Sequence, residues 1–295
     1  VGTTNGLFSS ELDLTHPRNL SSENTRLSNR HIVSLLSDQD LLWVGTEEGM
    51  NSLSETPLEL FNKQSSLVEN AIQAFSESSD GSIWVGTYDG LFHLSEGRES
   101  HENAEVKLEA VLRDRRIMAL ETQKDELWIG FWNDGVQIVN TSTGDTYFPL
   151  RDENNITPIR KILRTSEDGM CLAMQGTGLI CLSQGAIIRP AQATILPTAI
   201  LFEIKGGELL VGAVNRVYRY RPQEAYFKEI ELNYPDLENG PVIWSMRQTN
   251  NGEILLGTQA HGLYLWPKNQ VSEDAIVLNS FGNSSILRSR TIYAI

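Results

Sequence analysis

Short apolar segments recur along this chain at a nearly constant spacing, each followed by a glycine and a second apolar segment. The clearest copies read LWVGTEEGMN at 42–51, IWVGTYDGLF at 83–92 and LWIGFWNDGV at 127–136. Weaker copies stand at 170–180, 209–217 and 254–264, and a partial copy, VGTTNGL, stands at 1–7. Counted from Trp43, the equivalent positions are 41, 44, 43, 39 and 45 residues apart. A period of about 40 to 45 residues that is rich in short strands is typical of β-propeller blades.

Each complete repeat predicts the same three strands in the same order. An innermost strand, such as 72–75 in the second unit or 162–165 in the fourth, leads through a tight turn to the segment that carries the anchor residue. Asp80-Gly81 suits this turn because glycine tolerates the positive φ that a two-residue hairpin needs. The glycine of the second strand, Gly86, is expected where a larger side chain would meet the neighbouring strand or blade. Gly90 then turns the chain into a third strand, and a variable polar segment closes the unit.

The two ends of the chain complement each other. The copy at 1–7 lacks its first strand, whereas 289–295 reads as a first strand without a second. Six complete motifs and this divided one make seven. We therefore predict an all-β single domain over residues 1–295, a seven-bladed β-propeller whose last blade is closed by both chain termini. This prediction requires Ile292 to pair with the strand at 1–4.

The repeated tryptophans Trp43, Trp84 and Trp128 allow two interpretations. They are either aromatic platforms for sugar stacking or the filling of the wedge between twisted blades. Because they recur with the period of the repeat, we interpret them as inter-blade core. The better candidates for ligand contact are the aromatic residues outside the periodic positions, which are Tyr88, Trp132, Trp244 and Tyr293.

Composition and charge exclude some classes of binding partner. The formal net charge is −14, with 24 Lys and Arg against 38 Asp and Glu, which argues against a nucleic-acid partner or an anionic membrane surface. No apolar run approaches the ~18 residues of a membrane span. No signal-peptide pattern stands at the start, but the sequence begins within a repeat, so its absence carries no weight.

The two cysteines, Cys171 and Cys181, are too few for a disulfide scaffold and are not spaced like a zinc site. If the hairpin of the fourth unit turns at Gly176, they face each other on adjacent antiparallel strands. Facing Cβ atoms lie ~4.5–5.5 Å apart, close to the separation in a disulfide. A disulfide in an oxidising compartment and a pair of buried free thiols, with Cys171 in place of an anchor tryptophan, both fit the sequence.

Two segments carry a resemblance to a known family. LSNRHIVSLLSDQDLLWVGTEEGMNSL at 27–53 and SSDGSIWVGTYDGLFHL at 78–94 resemble the repeat of the two-component regulator propeller family. This family forms the periplasmic sensor region of bacterial hybrid two-component receptors and of some membrane-bound diguanylate cyclases. Units three to six follow the pattern loosely, and the tryptophan is lost from units four to six.

The resemblance implies a non-catalytic, periplasmic ligand-sensing domain of an inner-membrane receptor. Its ligand would be a small molecule or an oligosaccharide. A following β-sandwich and a membrane helix would pass the signal to a cytoplasmic output, such as a histidine kinase or a cyclase, outside this chain. A homodimer is left open.

The candidate binding surface follows from position within the repeat. Residues leading into the innermost strands and residues linking the second and third strands emerge on one face of a propeller, around the channel. Arginines converging there suit a carboxylate, sulfate or phosphate group, unless they pair with nearby acids. Aromatic and amide groups of the hairpins suit sugar hydroxyls, although ordinary turns have a similar composition. The candidate ligand-binding residues are Arg30, His31, Tyr88, Arg116, Trp132, Asn133, Arg160, Gln175, Trp244, His261 and Arg290.

Catalysis has little support in the sequence. The five histidines show no metal-ligand spacing, and neither a nucleophile elbow nor a phosphate-binding glycine loop is visible. We expect no catalytic residue, no metal and no cofactor. The alternatives to a sensor are a propeller that docks a protein and, less favoured, a secreted carbohydrate-active enzyme.

Overall fold

The sheets of this chain form the seven blades of an all-β propeller. The computed structural model describes residues 1–9, 18–20, 27–38, 41–53, 59–61, 71–96, 106–151, 157–167, 169–183, 185–190, 198–204, 207–221, 226–235, 237, 240–280 and 291–295. These ranges also contain a short 3-10 helix, Lys268–Gln270. None of the helices described in these ranges is both long enough and apolar enough to span a membrane.

The strands are short, as the repeat predicts. The first ten are β1 (Gly2–Thr3), β2 (Gly6–Ser9), β3 (Arg18–Asn19), β4 (Ile32–Asp38), β5 (Leu41–Thr46), β6 (Gly49–Leu53), β7 (Glu59–Phe61), β8 (Ile72–Glu77), β9 (Ile83–Thr87) and β10 (Gly90–Glu96). The next ten are β11 (Val106–Arg113), β12 (Ile117–Gln123), β13 (Glu126–Phe131), β14 (Val136–Asn140), β15 (Thr146–Tyr147), β16 (Ile159–Arg164), β17 (Met170–Met174), β18 (Gly178–Ser183), β19 (Ala186–Ile188) and β20 (Thr198–Ile204). The last nine are β21 (Glu208–Ala213), β22 (Arg216–Arg221), β23 (Tyr226–Asn233), β24 (Ile243–Gln248), β25 (Ile254–Thr258), β26 (Leu263–Trp266), β27 (Ala275–Val277), β28 (Asn279–Ser280) and β29 (Ile292–Ala294).

These strands pair into seven sheets, one for each blade. The strand orders are β29-β1-β2-β3, β4-β5-β6-β7, β11-β10-β9-β8, β12-β13-β14-β15, β16-β17-β18-β19, β20-β21-β22-β23-β27 and β24-β25-β26-β28. The chain divides into two compact units, one of residues 23–162 and one of residues 1–22 and 163–295. A single domain over residues 1–295 stays a prediction.

In the unit of residues 23–162, the glycine of each second strand leaves room for an isoleucine of the next blade. A Cβ atom on Gly86 would lie 2.6 Å from Cγ2 of Ile117, and one on Gly130 would lie 2.7 Å from Cγ2 of Ile159. Real Cβ atoms do not approach so closely. The predicted role of these glycines is therefore confirmed.

The anchor tryptophans of the same unit are core residues, as interpreted from their period. Trp43, Trp84 and Trp128 are only 5%, 8% and 6% exposed. Trp43 packs in a cluster with Ile72 of the next blade, and Trp84 packs in a cluster with Ile117 of the blade after that. These rings fill the wedges between blades.

The last blade is built from both ends of the chain. Thr3 of β1 pairs with Ile292 of β29 in antiparallel register, which is the pairing that the sequence predicts. Ile292 is fully buried against Phe8 and Leu263. The predicted closure of the seventh blade by both termini is confirmed.

A disulfide bond joins Cys171 of β17 to Cys181 of β18, and the two residues are direct partners in the strand register. Both side chains are buried in a cluster with Leu201 and Leu209. The disulfide therefore occupies the inter-blade position where other blades have a tryptophan.

The blade of β20 to β23 has a fifth strand that the repeat does not predict. Strand β27 adds to β23 in parallel, and the buried side chain of Arg219 on β22 holds the segment that leads into β27. The Arg219 guanidinium donates to the carbonyl oxygens of Val271, Ser272 and Glu273 at 2.5, 3.0 and 3.1 Å. Its Nε atom also lies 3.1 Å from Oε2 of Glu208, an ion pair without hydrogen-bond alignment.

Candidate functional site

Most of the candidate binding residues lie where the innermost strand of a blade begins and the second strand ends, because the two antiparallel strands share that end of the sheet. A β-bulge marks this end. The register of β8 skips Gln73, and the register of β12 skips Met118. A bulge bends the strand and changes the direction of the extra side chain. Gln73 and Met118 therefore depart from the regular alternation of the two sheet faces, and nothing in the sequence pattern marks these two positions.

Arg160 occupies the corresponding position of β16. Ile159 packs against Gly130 as Ile117 packs against Gly86, so the residue after Ile159 is equivalent to the residue after Ile117. The expected start of this strand, at residue 162, was wrong, since β16 begins at Ile159. The buried residue Ile159 fixes the true start. Arg160 is therefore part of the strand and not of the loop before it.

Tyr88 stands at the tip of the tight hairpin between β9 and β10. The buried Thr87 holds this hairpin, because its Oγ1 donates to the carbonyl of Gly90 and accepts from the backbone N–H of Asp89 and Gly90 at 3.0–3.1 Å. Equivalent threonines at positions 3, 46 and 258 make the same clip. This threonine was not among the predicted features, although it follows the glycine in the copies at 42–51 and 83–92. The clip leaves the Tyr88 side chain 38% exposed.

Trp132 follows the end of β13, where Phe131 replaces the threonine. Its backbone N–H donates to the carbonyl of Arg116 at 3.0 Å, which extends the ladder between β12 and β13 by one bond. The N–H of Phe131 closes the turn on Gly135 O at 2.9 Å. The backbone therefore fixes Arg116 and Trp132 side by side.

Four of the predicted residues meet in one group, which we call the aromatic–guanidinium cluster: Tyr88, Arg116, Trp132 and Arg160. Cζ of Arg116 lies 4.7 Å from the ring centroid of Tyr88 and 5.7 Å from that of Trp132. Cζ of Arg160 lies 5.3 Å from the ring centroid of Trp132. All three separations fall within the ~6 Å range of a cation–π contact. The cluster joins residues of three successive blades.

The two guanidinium groups of the cluster have no acidic partner among the described residues, because no carboxylate oxygen there lies within ion-pair distance of Arg116 or Arg160. Burial lowers the pKa of Arg160, and the neighbouring Tyr88 opposes this shift. Burial without a counter-charge costs free energy, which is why buried charges in proteins are normally paired. The cluster is thus a positive site in an acidic protein.

Two other basic side chains at this end of the blades lie beside an acid. Arg115 forms an ion pair with Asp134 at 3.0 Å, and its Cζ lies 4.4 Å from the ring centroid of Phe131. His31 Nδ1 lies 2.9 Å from Oε1 of Glu47. For these two residues the structure favours the alternative of pairing with a nearby acid.

The remaining candidates are not brought to the cluster by any contact that the structure describes. Arg30, Asn133 and Gln175 are exposed. Trp244 packs on Tyr293, with ring centroids 5.6 Å apart, and His261 Nδ1 lies 2.9 Å from the carbonyl oxygen of Gln259. Arg290 lies outside the described residues.

No metal site is visible in the part of the chain that the structure describes. Groups of three or more His, Cys, Asp or Glu side chains arranged to hold an ion do not occur there. The side chains of the cluster are of a kind that can hold an anion. Arginine presents a planar fork of donors that matches the oxygens of carboxylate, sulfate or phosphate.

Fold and repeat together define a β-propeller built from a recurring blade motif. Residues 66–89 match the family model described as two component regulator propeller. The match covers one repeat of the chain and agrees with the resemblance that the sequence shows at 78–94. No curated protein sequence matches the chain significantly.

Several solved structures share the fold. The extracellular domain of the putative hybrid two component system BT3049 from B. thetaiotaomicron aligns with 92% of this chain at 17% identity and a TM-score of 0.66. The chain spans 38% of the length of that domain. Virginiamycin B lyase from Staphylococcus aureus aligns with 84% of this chain, over 83% of its own, at 10% identity and a TM-score of 0.64. The WD40 β-propeller domain of Doa1 aligns with 89% of this chain, over 85% of its own, at 10% identity and a TM-score of 0.62. These identities establish a common fold and no common function.

Proposed function

We propose that this chain is a ligand-sensing domain of a bacterial two-component-type receptor and that it binds a small anionic molecule or an acidic oligosaccharide. The binding site is the aromatic–guanidinium cluster, at the mouth of the propeller. The observation that carries this proposal is the presence of two guanidinium groups, Arg116 and Arg160, without an acidic partner among the described residues. A ligand oxyanion would supply the missing counter-charge.

The receptor role is supported by the family model and by the likeness to the BT3049 extracellular domain. The chain spans only 38% of that domain, so the rest of the receptor is part of the proposal. We propose a following β-sandwich, a membrane helix, a cytoplasmic output module and a homodimeric assembly. The Cys171–Cys181 disulfide supports a periplasmic location, since disulfides persist in oxidising compartments such as the periplasm.

The geometry suggests how binding would work. The rings of Tyr88 and Trp132 are held by the hairpins and in turn hold the arginine side chains, so less side-chain freedom is lost when a ligand binds. At an effective dielectric constant of about 20, an anion 4 Å from one guanidinium gains ~4 kcal/mol of Coulomb energy before desolvation costs. Two arginines make the site selective for acidic ligands over neutral sugars.

The test is a calorimetric and thermal-shift comparison of acidic and neutral saccharides on three proteins. These are the wild type, the double variant Arg116→Gln with Arg160→Gln, and the control Arg115→Gln. Acidic sugars should raise the Tm of the wild type, and neutral sugars of the same size should not. A ligand at a hundredfold excess over its Kd adds about 2.7 kcal/mol of stability.

The double variant should lose the acidic response, because both unpaired charges are gone. Arg115→Gln should keep the preference for acidic over neutral sugars, because Arg116 and Arg160 remain, while the released carboxylate of Asp134 lowers the affinity by less than the double variant does. An equal response to neutral sugars, or an equal loss in the control, would refute the cluster as the site. A flat response to every ligand would favour the docking alternative, in which the propeller binds a protein.

A further inference from the structure

The charge of the cluster is compensated only in part by its aromatic rings. A ring attracts a cation through its quadrupole and carries no net charge. Arg116 and Arg160 therefore leave two positive charges within 6 Å of the centroid of Trp132. One monovalent anion would leave one of these charges uncompensated.

None of the neighbouring acids that the structure describes is in ion-pair contact with either arginine. Asp134 is the acid next to Trp132, and its carboxylate is already shared with Arg115. Asp89, in the hairpin of Tyr88, and Asp114, before Arg115, form no ion pair with either arginine of the cluster. Lys161, the residue after Arg160, adds positive charge to the same strand.

We infer that the ligand of the aromatic–guanidinium cluster carries two negative charges, one for each of the unpaired guanidinium groups of Arg116 and Arg160. This inference rests on the proposed function, since it specifies the chemistry of the ligand that the site takes. The half-buried position of Arg160 supports it, because a poorly solvated cation gains most from a direct counter-charge.

Two kinds of small molecule meet this requirement. One carries both charges on a single group, as a phosphate monoester does above its second pKa of about 6. The other carries two separate groups, as a sugar dicarboxylate or a doubly charged acidic saccharide does. Both present oxygen pairs to the arginine forks, and matched probes distinguish them.

The experiment uses two pairs of probes that differ in charge and little in size. Glucose 6-phosphate is compared with glucose 6-sulfate, which keeps a single charge, and galactarate is compared with galacturonate. Titration calorimetry at pH 7.5 should show at least tenfold tighter binding of the dianion in one pair, and that pair identifies the kind of ligand. If the phosphate pair responds, the preference should fall at pH 5, where glucose 6-phosphate becomes a monoanion and glucose 6-sulfate does not change.

Single variants give the decisive control. Arg116→Gln and Arg160→Gln each leave one unpaired charge, so each should reduce the tenfold preference for the dianion to about twofold. Arg115→Gln should leave the preference for the dianion intact.

Equal binding of both members of both probe pairs would overturn the dianion inference but not the proposal that the cluster binds an anion. The dianion inference would also be overturned if both single variants kept the tenfold preference, because the two charges of the ligand would then be bound by other residues. A failure of every acidic probe, including those of the saccharide panel, would overturn the proposed function itself.

Discussion

Arg219 and the two arginines of the aromatic–guanidinium cluster occupy opposite situations in the same acidic chain. Arg219 is 2% exposed, and oxygens surround its guanidinium: three backbone carbonyls accept its hydrogen bonds, and Glu208 lies 3.1 Å from Nε. Arg116 and Arg160 have ring faces as neighbours and no carboxylate among the described residues. The guanidinium of Arg219 is paired within the protein, whereas those of Arg116 and Arg160 have no acidic partner among the described residues and are the proposed ligand contacts.

The contacts of an arginine in this propeller indicate whether it stabilises the fold or is a candidate for ligand binding. Arg219 fixes the segment before β27, so its donors are used to hold the fold. The donors of Arg116 and Arg160 have no acceptor that the structure describes, and under the proposed function their charges would pair with a ligand. Stability should therefore depend on Arg219, and anion affinity should depend on the cluster.

Replacement of Arg219 should produce the largest loss of stability. Arg219→Met removes the buried guanidinium that binds three backbone carbonyl oxygens and Glu208, and breaking a buried ionic network costs about 3–5 kcal/mol. Urea unfolding should show a lower midpoint with an unchanged slope. Arg216→Met, which removes an exposed arginine of the same strand, should unfold at nearly the wild-type urea concentration. Equal midpoints for the two variants would contradict the structural role of Arg219.

Substitution of two inter-blade glycines distinguishes an effect on stability from an effect on anion binding. Gly86→Ala would drive a methyl group into Ile117, next to Arg116, and Gly257→Ala would drive one into Ile292. Overpacking of this kind costs about 1–3 kcal/mol. Both variants should lower the Tm, but only Gly86→Ala should also weaken anion binding, because it displaces the strand that carries Arg116. A similar loss of affinity in both variants would show that affinity reports general loosening of the fold.

Removal of one ring should weaken binding with little effect on stability. Tyr88→Leu deletes the face under Arg116, and a cation–π contact contributes about 0.5–2 kcal/mol. Anion affinity should fall by roughly two- to thirtyfold in calorimetry. Tyr88→Phe keeps the ring and should bind within about twofold of the wild type. A large loss in Tyr88→Phe would instead assign the role to the hydroxyl group.

The fold could be predicted because its determinants repeat. A tryptophan or a glycine at the same place in successive units indicates an inter-blade wedge before any contact is seen, and Trp43, Trp84, Gly86 and Gly130 fill those places. Closure by both termini followed from the same repeat. Arg219 gave no such signal, because its carbonyl partners lie more than fifty residues further along the chain.

The positions of the candidate site residues could be predicted from the repeat, but their individual contacts could not. The repeat placed Tyr88, Arg116, Trp132 and Arg160 at one end of the blades, but a sequence does not state which arginine meets an acid and which meets a ring. Arg115 and Arg116 are adjacent, yet only Arg115 pairs with Asp134. The start of β16 was misplaced because Arg160 and Lys161 interrupt the apolar pattern after Ile159.

The smallest predicted effect is an increase in anion affinity. Asp134→Asn should free Arg115, whose Nε and Nη2 atoms now lie 3.2 and 3.0 Å from Oδ2 of Asp134. Arg115 would then be a third guanidinium without an acid, beside Arg116 and still stacked on Phe131. Exposed ion pairs contribute ~0.2–1 kcal/mol, so anion affinity should rise by up to about fivefold.

The matched control for this gain is Asp114→Asn, which changes the net charge equally at an exposed acid without an ion pair among the described residues. Calorimetry with the same anion should show a larger gain for Asp134→Asn than for Asp114→Asn. If both variants gain equally, the effect comes from the overall charge of the protein. If neither gains, a free guanidinium at this end of the blades does not suffice for binding, and the contrast between paired and unpaired arginines would lose its functional meaning.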